Sequence, residues 1–197
     1  MTRRSWHAAL CAALATLLVA CGRSAPAYSL QDITGLMPDL AFKMTDQGGR
    51  PVSAVDYRGR IVLLYFGYTH CPDACPTELA TLAQATHALG AAAARTQVLF
   101  VTVDPPRDTG ALLREYLANF DPRFAGLRGD PAALDALTRR YRVSFHAEPP
   151  DRDGNYAVDH SSAVFIFDGR GRARLLASAA DTAAAIAQDV HRLLTQN

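Results

Sequence analysis

The chain has 197 residues, with 20 basic and 19 acidic side chains and a formal net charge of +1. Apolar residues make up 49% and charged residues 20%. This is the balance of an ordinary globular protein, so intrinsic disorder and a collagen-like fibre are excluded and the length suits one domain with a real core.

Near-neutral charge leaves no electrostatic footprint for nucleic acid. Lys43 is the sole lysine, and the abundance of Arg and Ala reads as compositional bias. Residues 1–20 read as a targeting segment. Arg3 and Arg4 precede an apolar run from Ala8 to Ala20, the layout of a secretory signal. The run is shorter than the roughly 20 residues a membrane span needs. It ends in Leu18-Val19-Ala20-Cys21, which resembles the bacterial lipobox. That resemblance implies lipidation of Cys21 and a membrane-anchored lipoprotein. His7 and Cys11 belong to the signal. Residues 21–37 read as a flexible membrane tether, rich in small residues and without periodicity, and residues 38–197 as the folded domain.

Within the domain, residues 40–44 and the stretch around Gly48-Gly49 predict a short leading hairpin. The continuous apolar run IVLLYFG predicts a strand over 61–67, buried on both faces. Leu79, Leu82, Ala83, Thr86 and Leu89 at helical spacing predict a helix over 78–89. A second buried strand follows over 97–103, then a helix over 109–120. Asp130-Pro131, an N-cap with proline at the first helical position, starts a helix over 132–141. Residues 143–147 and 156–160 flank the turn-rich EPPDRDGN and predict a hairpin. A strand over 163–168, an antiparallel partner over 174–178 and a helix over 181–194 complete the chain. The pattern is α/β, a mixed central sheet flanked by helices.

The chemistry gathers at one edge of that sheet. In FGYTHCPDACPTEL, Cys71 and Cys75 lie where a buried strand meets a helix. Two cysteines this close close almost no loop, so a disulfide between them would stabilise little, and chemistry explains the pair better. A helix N-terminus is expected to lower both thiol pKa values. Spacing of i and i+4 puts both sulfurs on one side. They are expected to hold a soft metal, Cu(I) above all, or to close as a disulfide, the two states excluding each other. Of the remaining histidines, His87 and His191 fall on outer helix faces and His146 in the hairpin; His70, beside Cys71, is a minor candidate. His160 stands in VDHSS immediately before the strand at 163. If that strand runs antiparallel to the first, His160 meets the Cys pair across the sheet; otherwise it caps a turn. The residues alone leave both open. Asp104 follows the second buried strand at the same edge. It is a turn former before Pro105-Pro106, and also a carboxylate placed to orient a ligand or to meet a partner. Asp108 is expected as an N-cap.

The segments FGYTHCPDACP, VTVDPPRDT and YAVDHSS, in that order, resemble the Sco/SenC family of copper-binding assembly proteins for cytochrome c oxidase, over about residues 40–194. The resemblance implies a thioredoxin-like fold and one copper per chain, Cu(I) or Cu(II), bound by Cys71, Cys75 and His160. It also implies a membrane anchor with the domain in the periplasm. The implied partner is the copper-centre subunit of the oxidase, with a second periplasmic copper chaperone or a thiol reductant beside it. A metallochaperone rather than an enzyme is implied. The alternatives are a thiol–disulfide reductase that keeps the oxidase's ligand cysteines reduced through Cys71 and Cys75, and a redox or copper sensor. Gly110 and the turn FDGRGR depart from the family's usual residues, and neither touches a proposed ligand.

Overall fold

The computed structural model describes residues 28–196. The targeting segment, Cys21 and residues 22–27 of the expected tether lie outside them. In chain order the elements are β1 (Gln31–Asp32), β2 (Lys43–Asp46), β3 (Pro51–Ser53), β4 (Ile61–Gly67), α1 (Ala74–Ala88), β5 (Thr96–Thr102), α2 (Gly110–Ala118), β6 (Ala125–Arg128) and α3 (Pro131–Arg140). There follow β7 (Phe145–Ala147), β8 (Val158–His160), β9 (Val164–Phe167), β10 (Ala173–Ala177) and α4 (Ala183–Thr195).

Eight strands form one mixed sheet in the order β1-β10-β9-β4-β5-β6-β2-β3. The centre is built by the two continuous apolar runs. β4 and β5 pair parallel in full register from Ile61 opposite Thr96 to Gly67 opposite Thr102. Every residue of β4 is buried, as a strand covered on both faces must be. β9 pairs antiparallel with β4, Val164 opposite Tyr65. The start of β9 therefore lies beside the end of β4, the arrangement on which the meeting of His160 with the cysteines depends.

Helices cover both faces. On one, α1 packs on α4, and Tyr65 and Phe100 stack towards Tyr116 of α2. On the other, Phe66 meets Phe165, and Tyr141, at the end of α3, packs on Phe165 and Phe167. The start of α3 follows the expected chemistry: the Asp130 carboxylate accepts from the Ala133 amide at 2.7 Å, with Pro131 in the first turn. The hairpin of β7 and β8 stands apart as its own two-stranded sheet, with Phe145 opposite His160.

Three expectations need correction. The tether does not run to residue 37. Leu30 and Ile33 are buried, β1 pairs with β10, and the buried Asp189 carboxylate accepts from the Ser29 and Leu30 amides at 2.7 and 2.8 Å. Burial of two apolar side chains and two amide bonds fixes this stretch onto the domain. The first helix starts at Ala74, four residues earlier than expected. Asp108 is not a cap: Thr109 caps α2, accepting from the Leu112 amide. Asp108 is instead fully buried.

Candidate metal centre

The loop after β4 owes its shape to Asp108. Its carboxylate accepts from the Thr69 amide at 3.1 Å, the Thr69 hydroxyl at 2.6 Å and the Thr102 hydroxyl at the end of β5. A buried carboxylate with three donors ties the loop to the neighbouring strand. Because α1 begins at Ala74, Cys71 lies just outside the helix and Cys75 inside its first turn. The Cys75 amide, one of the orphan donors of a helix start, donates to Cys71 Sγ at 3.4 Å. Cys75 Sγ sits against Gly67, where a Cβ would come within 2.9 Å of the sulfur. Absence of a side chain there is what lets the thiol lie over the strand.

His160 arrives from β8. Its Nδ1 lies 3.0 Å from the Ser161 carbonyl. A carbonyl only accepts, so Nδ1 carries the proton and Nε2 presents its lone pair. Nε2 is 3.3 Å from Cys75 Sγ. The rings of Tyr65 and Tyr68 meet the imidazole edge-on, with centroids 6.2 and 5.9 Å away. The ligand atoms of Cys71, Cys75 and His160 all lie within 4.8 Å of one another, the one such group of metal-binding side chains among the described residues. That span is close to what one ion with bonds of about 2.0–2.3 Å bridges. Both thiols are free. Cys71 and His160 are partly exposed and Cys75 is buried, so the group opens to solvent on one side.

The expectation that the helix start lowers both thiol pKa values fails for Cys75. Burial pushes its thiol up to about 12, against the opposing pull of the Tyr68 amide and the Tyr65 hydroxyl. The proton therefore stays on the sulfur until a cation replaces it. Beneath the thiol lies a polar layer that sequence reasoning missed. The Tyr65 hydroxyl faces the Cys75 thiol, and the Tyr116 hydroxyl and Glu78 Oε1 are buried without hydrogen-bond partners. Burial, reinforced by the nearby thiols, raises both phenols above their ordinary range. Nothing in the sequence marked these residues, since a Tyr inside an apolar strand run and a Tyr and a Glu within helices read as ordinary packing.

Glu78 gives a pH prediction. Burial, then the Asp181 carboxylate, pushes its carboxyl from the ordinary 4.5 up to about 7. Between those values the folded chain keeps a proton that the unfolded chain has lost. Stability therefore falls as pH rises through that window and levels off above it. The effect is at most about 3 kcal/mol. Urea melts of wild type and Glu78→Gln from pH 4 to 8 are expected to show a difference that shifts in favour of the variant across this interval. A constant difference refutes the assignment.

Other candidates fall away from the group. Asp104 touches neither cysteine nor His160; it bonds to Arg107 and Tyr156. His70 is about half exposed, its Nδ1 3.0 Å from the Thr69 hydroxyl. His87, His146 and His191 are exposed. Cys21 lies outside the described residues. Surface cavities of about 460 and 480 Å³ lie around Lys43 and α3, away from the group; an ion needs no such volume.

The SCO1/SenC family model matches residues 37–195. The chain is 42% identical over 153 residues to the mitochondrial SCO2 homolog of Bos taurus, an alignment covering 77% of this chain and 58% of that protein. It is 41% identical over 132 residues to the human SCO2 homolog, covering 66% and 50%. The chain thus spans about half the length of these relatives, 58% and 50%. Among solved structures, Bradyrhizobium japonicum ScoI with copper bound matches with a TM-score of 0.74 and 38% identity, over 80% of this chain and 99% of that one. Yeast Sco1 with copper bound matches with a TM-score of 0.75 and 29% identity, over 82% and 90%.

Proposed function

The chain belongs to the SCO1/SenC family, and on that footing we propose that it is a copper metallochaperone: it binds one copper ion through Cys71, Cys75 and His160 and passes it to the copper-centre subunit of cytochrome c oxidase during assembly. The observation that carries this reading is the convergence of two thiols and one imidazole lone pair within 4.8 Å. Two soft sulfurs and a nitrogen suit Cu(I) and tolerate Cu(II). Binding releases the thiol protons, so the buried Cys75 becomes a thiolate only as copper arrives. Three donors are one fewer than a closed tetrahedral site uses. The fourth side faces solvent beside Cys71, where a recipient's ligand gains access and takes the ion by exchange. Copper is cargo in this reading, supplied by a further periplasmic chaperone.

The anchor is part of the proposal. Among the described residues no helix is long and apolar enough to cross a membrane. Lipidation of Cys21 would hold the domain at the membrane, facing the periplasm, and a lipid label on Cys21 is its check.

One observation favours a second reading, a thiol–disulfide reductase. Cys71 is partly exposed while Cys75 is buried beside it. Such a pair can give two electrons and two protons to a recipient's disulfide and become a disulfide itself. His160 separates the readings. Under the proposal, copper-loaded wild type transfers its ion to the metal-free, reduced soluble domain of the recipient subunit and His160→Ala does not, although in a separate assay the variant still reduces the disulfide of the same domain in its oxidised form. If the oxidised recipient, supplied with copper ion, regains its copper centre equally with both proteins, the reductase reading is favoured.

A further inference from the structure

The hairpin that carries His160 forms its own two-stranded sheet, separate from the eight-stranded one, and side-chain contacts tie it to the body. Val158 and His160 share the inward face of β8, and Tyr156 lies two residues before Val158, in the stretch that leads into the strand. Val158 is buried, paired opposite Ala147. Two residues on, His160 meets Cys75. Two residues before, Tyr156 is gripped by groups at the end of β5. Its hydroxyl donates to Asp104 Oδ1 at 2.8 Å. The Arg107 guanidinium lies 3.5 Å from the Tyr156 ring centroid, while Arg107 Nε donates to Asp104 Oδ2. The guanidinium also lies 5.8 Å from the Tyr68 ring, the ring that meets His160 edge-on. Asp104 is buried, and its amide donates to the Thr102 hydroxyl. A charged pair fixed at a strand end, stacked on an aromatic ring, is a strong local clamp.

We propose that Asp104, Arg107 and Tyr156 form a latch that positions His160 for metal capture. It rests on the reading of Cys71, Cys75 and His160 as the copper site, and it assigns Asp104 a role that proximity to the ligands does not. None of the three touches the ion; they are positioning residues. The latch seats the hairpin at one end of its inward face. Arg107 also braces Tyr68 against the imidazole. Partners that orient a metal ligand typically contribute 10–100-fold in affinity.

The test uses the reduced protein as wild type, Arg107→Gln, Tyr156→Ala and Tyr156→Phe, with copper ion as the probe. Two quantities are read. One is amide hydrogen exchange in the metal-free protein at Ser161 and Glu148, whose amides bond to Ser144 and Ala157 across the hairpin. The other is copper affinity, with the imidazole nitrogen coupling in the Cu(II) spectrum. Arg107→Gln and Tyr156→Ala are expected to exchange faster at both amides, to lose about tenfold or more in affinity and to show a heterogeneous nitrogen coupling. Tyr156→Phe keeps the ring under the guanidinium but loses the bond to Asp104, and is expected to fall between wild type and Tyr156→Ala in both readouts. Wild-type exchange in Arg107→Gln and Tyr156→Ala overturns the latch, and so does faster exchange with unchanged affinity. If Arg107→Gln fails to fold, Tyr156→Ala on the exposed hairpin decides. If wild type binds no copper, the copper reading fails, and the exchange arm alone still decides whether the latch holds the hairpin.

Discussion

Cys75→Ser is expected to abolish stoichiometric copper binding while leaving the fold in place. The side chain is fully buried between Gly67 and His160. A hydroxyl is a hard donor that keeps its proton, so no thiolate forms for a soft ion. The loss should exceed the 10–100-fold typical of changing an outer partner of a ligand, because a ligand itself is gone. Competition with a chromophoric Cu(I) chelator measures it. Cys71→Ser should lose nearly as much, since His160 and one buried thiolate leave a two-donor site. A Cys75→Ser protein that competes for Cu(I) as wild type does would remove Cys75 from the site.

Gly67→Ala is expected to damage stability and site together. An added Cβ would come within 2.7 Å of the Phe100 ring and 2.9 Å of Cys75 Sγ. Phe100 has no room to give: it is a fully buried core ring packed at a tilt between Tyr65 and Tyr116. Overpacking of this kind costs about 1–3 kcal/mol. The sulfur, on the first turn of α1, is the softer neighbour and should be displaced from His160. A lowered urea midpoint with unchanged m-value, together with weakened copper binding, is the expected pair of results. A stability loss with full copper affinity would mean that the site tolerates movement of Cys75.

Much of this arrangement was readable in the residues because strong local signals coincided with the fold. The runs at 61–67 and 97–103 could only be strands buried on both faces, and Asp130-Pro131 announced a helix start. The Cys pair and His160 were each placed at strand ends, and the antiparallel pairing of β9 with β4 brought them together. What stayed hidden depended on partners distant in sequence. β6 has four residues, one of them Gly126, and carries no period that marks a strand; it exists because β5 and β2 flank it. β1 has two residues, and the Ser29 and Leu30 amides beside it are held by Asp189, about 160 residues away. Asp108 had the local look of a cap, but Thr69 and Thr102 supply its donors. Burial also reversed an electrostatic argument: the helix start favours a thiolate at Cys75, and desolvation outweighs it.

The central claim is that Cys71, Cys75 and His160 bind one ion together. Its most direct measurement is a copper titration of the reduced protein, wild type and His160→Ala side by side, followed by absorption and by the nitrogen coupling of the Cu(II) form. The account predicts one copper per wild-type chain, thiolate-to-copper bands and one imidazole nitrogen. It also predicts that His160→Ala loses the nitrogen coupling, shifts the bands and binds far more weakly. An unchanged spectrum and affinity in His160→Ala would contradict it.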